Sequence, residues 1–133
     1  MRFKNILIIV WTGSMMLALN SCSLSARIKR ADKRYNIGEY YQAAEMYKQI
    51  YRQLKTQDRS TRAHVSFQQG ECYRILNNSK AANAYKTAIR YQYPDSIVYL
   101  HYAQVLHYQG KYNDAAKQYN SLSEIYNTVK TKR

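Results

Sequence analysis

His64, His101 and His107, together with Cys22 and Cys72, are the side chains in this 133-residue chain best suited to ligate a metal or act as nucleophiles. Zinc and similar ions need ligands that converge at short spacing. No two histidines stand four apart, and His101 and His107 fall on different faces of any helix that carries both. The eight acidic residues are scattered singly, and no set of Ser, His and acid stands out. Four glycines do not make a phosphate-cradling loop. The fifteen tyrosines could stack on bases or sugars, but many recur at fixed intervals, which points to packing. The expectation is a protein without catalytic residues, metal or cofactor, whose work is binding.

The elements that would position a binding surface are helices in a repeat. Gly38-Glu-Tyr-Tyr-Gln-Ala-Ala-Glu-Met-Tyr47 and Gly110-Lys-Tyr-Asn-Asp-Ala-Ala-Lys-Gln-Tyr119 share one pattern, and Ala81, Tyr85 and Ala88 form a weaker third copy. Gly38 and Gly110 suit the left-handed residue that ends one helix, and Asn77-Asn78 can take that turn in the middle copy. Tyr40 and Tyr112 open the next helix. Ala43, Ala81 and Ala115 let two helix axes approach closely, and Tyr47, Tyr85 and Tyr119 follow four residues on, on the same face. The pattern predicts helices over about 39–54, 61–76, 79–91 and 111–129, and one ending near Tyr108. Asp58 or Ser60, and Asp95 or Ser96, are the cap candidates. No stretch reads as a strand.

The first 22 residues differ in kind. A short basic start leads into an apolar run from Ile6 to Leu19, too short for a comfortable membrane span and suited to a signal peptide. The run ends Leu19-Asn20-Ser21-Cys22, which resembles a bacterial lipobox. That resemblance implies cleavage before Cys22 and acylation of its thiol; the alternative is an uncleaved anchor or an ordinary signal peptide. Ser23 after the Cys, with no acidic run following, implies the periplasmic face of the outer membrane. The organisation expected is a signal peptide over 1–21, an acylated tether over 22–24, a helical repeat domain over 25–129 and a basic tail over 130–133.

The formal net charge is +13. It is either a solvated basic surface or a match for an acidic protein or anionic headgroups; nucleic acid is not expected for an exported chain. Arg27, Arg30 and Arg34 share one face of the first helix, which can be solvated or can lie on headgroups. Cys72, inside a helix, reads as a small buried residue.

The spacing resembles the tetratricopeptide repeat, a helix pair of about 34 residues. Ala31, Gly70 and Ala103 match its small residue in the first helix, and Tyr73 and Leu106 the large apolar one after it. Ala43, Ala81 and Ala115, then Tyr47, Tyr85 and Tyr119, then Ala88 and Pro94 match the second helix and its end. Arg34, Ile50 and Leu122 depart from the pattern. The resemblance covers about Ser25 to Tyr126 and implies an all-α solenoid of about three repeats. It also implies a concave groove for a peptide or partner helix, lined by Asp32, Tyr35, His64, Phe67, Glu71, Arg74, Leu100, Gln104, His107 and Tyr108. This groove lacks a concentrated basic clamp.

The lipobox, the Ala31-Asp-Lys-Arg-Tyr35 and Gly38-Glu-Tyr40 stretches, Glu71-Cys-Tyr-Arg74 and Tyr93-Pro-Asp-Ser96 are similar to the N-terminal part of certain Bacteroidota outer-membrane lipoproteins. In those, repeats precede a β-propeller and a peptidoglycan-binding OmpA-like domain, and some are associated with type IX secretion and gliding. The expectation is an adaptor among envelope proteins, or else a spacer or truncated module of such a protein. Peptidoglycan binding is not carried over. On the last helix, Leu122, Ile125, Tyr126 and Val129 form one apolar stripe, which implies a covering partner: a second copy, a further domain or another protein.

Overall fold

The computed structural model describes residues 23–132, so the signal-peptide expectation, Cys22 and Arg133 lie outside the described residues. Every regular element among the described residues is a helix. α1 occupies residues 23–36. It is followed by α2 (Tyr40–Gln53), α3 (Arg59–Ile75), α4 (Ala81–Arg90), α5 (Ile97–Tyr108) and α6 (Tyr112–Thr131). The main packing partners of α2 to α6 are their neighbours in the chain. Short connectors turn each helix back along the one before, so the helices run antiparallel in sequence order.

Four of the five connectors close in the same way. The second residue after the helix turns left-handed at Gly38 (φ 84°), Asn77 (φ 51°), Gln92 (φ 62°) and Gly110 (φ 72°). After α1, the Glu39 N–H donates to Arg34 O and the Gly38 N–H to Tyr35 O. The same paired bonds run from Asn78 and Asn77 to Tyr73 and Arg74, from Tyr93 and Gln92 to Ala88 and Ile89, and from Lys111 and Gly110 to Leu106 and His107. These paired bonds satisfy carbonyls that a helix end otherwise leaves unpaired. Gln92 is the member that composition does not announce.

The α2–α3 connector is built differently. Leu54 is extended, and the Arg62 guanidinium reaches back to accept the role of cap, donating to Lys55 O (2.8 Å) and to Leu54 O. Asp58, a cap candidate for α3, accepts instead from the Lys55 N–H (3.1 Å), so it ties the loop rather than the first turn. Asp95 accepts from the Ile97 N–H (2.9 Å), while the Ser96 side chain makes no cap bond. α4 begins at Ala81 rather than near Ser79, because Asn78 folds its side chain onto the Lys80 N–H (3.0 Å) and holds the preceding turn.

The small residues lie where helices meet. Ala31, Ala43, Ala81, Ala88, Ala103 and Ala115 are all buried, as are Tyr47, Tyr73 and Tyr85. Cys72 is buried and free, and burial pushes its thiol up to about 12. Tyr119 departs from the expected packing role: it is 38% exposed, because α6 has a neighbour on its α5 side and buries only Ala115.

Candidate functional site

Gly70 sets the geometry at the centre. A Cβ there would lie 2.7 Å from Cε1 of Tyr85, so only glycine lets the Tyr85 ring lie directly on α3. The ring's hydroxyl then reaches Glu71, one residue along α3, at 2.6 Å. Glu71 is 5% exposed, the most buried charged group described. It also accepts from Nδ1 of His101 on α5 (2.5 Å) and from Nη2 of Arg74 (2.7 Å). Arg74 Nε donates to the Tyr85 hydroxyl in turn (3.2 Å).

One carboxylate thus joins α3, α4 and α5. Burial alone would push it up, but hydrogen bonds from His101, Arg74 and Tyr85 outweigh that and hold it at about 2. With both oxygens engaged by donors, Glu71 is fixed as a structural acceptor rather than poised as a base. The Tyr85 hydroxyl is pushed well above the usual phenol range, first by burial and then by its bond to Glu71. Phe67 completes the junction, stacked on Tyr93 with ring centroids 4.1 Å apart and tilted against Tyr85.

The residues assigned to a groove therefore divide. Phe67 (8% exposed) and Glu71 are inside the junction, so neither is open to a partner. Asp32 accepts from the Tyr47 hydroxyl (2.6 Å) and braces α1 on α2. Tyr35 packs edge-on against Tyr40, and His107 edge-on against Tyr112, across the two glycine turns. His64 and Leu100 are half-buried. Arg74, Gln104 and Tyr108 do come together. With Asn77, Asn78 and Gln109 they line an open cleft of about 520 Å³ between the C-terminal ends of α3 and α5. Tyr108 stands 89% exposed at its edge. Asn77, Asn78 and Gln109 escaped the sequence reading; the connector containing the Asn pair was legible as a turn, which concealed its place on a surface.

A second concavity of similar volume runs along α6, lined by Tyr119, Leu122, Ile125, Tyr126 and Val129 with Ser96. Val129 is 55% exposed, so the stripe read from the sequence is open to solvent in the single chain. Among the described residues, no three of His, Cys, Asp and Glu are grouped to hold a metal ion, and no helix is long and apolar enough to cross a membrane.

Fold and site together define an all-α protein of sequentially packed helices, with a polar junction inside and an amide-rich cleft outside. No protein-family model and no curated protein matches the chain.

Proposed function

We propose that the chain is a lipid-anchored, tetratricopeptide-like adaptor, held through Cys22 at the periplasmic face of the outer membrane and binding another envelope protein in the α3–α5 cleft. The solenoid part of this reading is supported by antiparallel helices packed in chain order, small residues at their crossings and the repeated left-handed turns. The observation that carries the binding role is Tyr108, a large exposed ring beside a cleft edged by Gln104, Asn77 and Asn78. Aromatic anchors beside side-chain amides suit an extended peptide, whose backbone needs both donors and acceptors. Under the narrower resemblance, the assembly served is type IX secretion or another envelope complex.

Radiolabelled fatty acid is expected to enter the wild type and not Cys22→Ala; equal labelling removes the anchor. Chemical cross-linking in the envelope, followed by recovery of the tagged chain, tests the cleft. Tyr108→Ala combined with Gln104→Ala should lower the yield of the cross-linked partner about tenfold, the effect of losing one modest hot spot. Unchanged yield would favour the second reading, a spacer or module of an OmpA-like protein, for which the open stripe on α6 offers a stacking face.

A further inference from the structure

Because the helices alternate in direction, the start of α1, the α2–α3 connector, the α4–α5 connector and the end of α6 share one end of the molecule. Contacts confirm the placement. Arg27 of α1 bonds Gln53 at the end of α2. Arg59 at the start of α3 donates to Arg90 O at the end of α4 (3.3 Å). Ser96 before α5 shares a concavity with Val129 near the end of α6.

This end is strongly and openly basic. Arg52, Lys55 and Arg59 are exposed at the α2–α3 corner, Arg90 at the end of α4, and Lys130 and Lys132 at the end of α6. The acids of its two connectors, Asp58 and Asp95, each accept a backbone N–H. Among the described residues, none of these six cations forms an ion pair. The pairs lie elsewhere: Arg34 with Glu39 and Lys117 with Asp114 at the opposite end, Lys48 with Glu45 and Arg74 with Glu71 within the helix bodies. Tyr91 adds an amphipathic ring, with the guanidinium groups of Arg59 and Arg62 at 5.6 and 5.3 Å from its centroid.

We propose that this whole end, rather than the basic face of α1, is a docking surface for an anionic phospholipid membrane. Each basic side chain near such a surface adds to the attraction, and Tyr is favoured at the headgroup level. The choice of lipid over an acidic protein rests on the anchored reading: α1 begins at this end, so a chain tethered through residue 22 presents it to the bilayer. The α3–α5 cleft, at the opposite end, then faces away from the membrane.

The full chain carrying Cys22→Ala, which has no acyl group, tests this by flotation with vesicles. These are phosphatidylcholine alone, or phosphatidylcholine and phosphatidylglycerol in equal parts. Binding to the anionic vesicles should be at least about tenfold tighter and should weaken with salt. Arg52→Glu/Lys55→Glu/Arg59→Glu/Arg90→Glu should remove that preference. Lys33→Glu/Lys80→Glu/Lys111→Glu/Lys117→Glu, with the same charge change at the opposite end, should keep it, and circular dichroism of both variants checks that they are folded. Equal affinity for the two vesicle types overturns the proposal, as does equal loss in both variants, which would reduce the effect to net charge. Failure of fatty-acid labelling with preserved vesicle preference would remove the anchor and leave the docking end standing.

Discussion

Glu71→Ala is expected to lower the unfolding free energy by about 3–5 kcal/mol, the usual effect of removing one partner from a buried charged network. Small domains have about 5–15 kcal/mol in total, so the variant should be largely unfolded on modest warming. The loss has a clear origin. The Tyr85 hydroxyl is buried and retains only Arg74 as a partner, while His101 loses the bond that fixes its ring. The same carboxylate gives the wild type an acid limb. Its folded value is about 2 against an ordinary 4.5, so it binds fewer protons folded than unfolded between those values. Its stabilisation is therefore full above about pH 4.5 and is lost as pH falls through about 2. Glu71→Gln should lack this component, and urea unfolding of both proteins across that range reads the difference. Parallel pH dependence in the two would show that Glu71 contributes nothing to acid sensitivity.

Gly70→Ala is the second large effect, with an expected loss of about 3 kcal/mol, the upper part of the range for overpacking a filled core. Helix propensity alone would favour alanine by about 1 kcal/mol. The clash decides the sign, since the added methyl meets Cε1 and Cδ1 of Tyr85 at 2.7 and 2.8 Å. These atoms belong to the body of a ring buried on its other sides and bonded to Glu71, so the ring has little room to yield. Thermal melts of Gly70→Ala in the wild type and in a Tyr85→Leu background separate the two contributions. The penalty should shrink once the ring is gone. An equal penalty in both backgrounds would place the cost elsewhere than at Tyr85.

The turns at Gly38, Gly110 and Asn77 were legible because few residue types adopt positive φ, and those that do are visible by name. Gln92 takes the same conformation with no such signature, its place set by the bonds around it. Alanine spacing likewise located the helix crossings, since small residues at a fixed period mark where axes approach. Depth was harder to read. Phe67 and Glu71 fall on a face from which a groove was expected, yet whether a side chain on that face is open or enclosed depends on what a neighbour brings up to it. Here Gly70 admits Tyr85, and Tyr93 closes over Phe67. The opposite error, at Tyr119, has the same cause: its place in the pattern matches Tyr47 and Tyr85, but the neighbour that would enclose it is not in this chain's described residues.

Packing in chain order has a consequence for how the protein comes apart. The Glu71 junction locks three consecutive helices, whereas α6 is held chiefly by α5 and buries Ala115 alone. Opening free energies then differ along the chain, as in a line of units coupled to their nearest neighbours. Detachment of α6 leaves the carboxylate and its three donors untouched, so the last helix can peel away and return as a separate cooperative unit. Loss of α4 would break the junction and release both sides at once. The centre of the chain is thus its clasp, and α6 is the part free to exchange its neighbour.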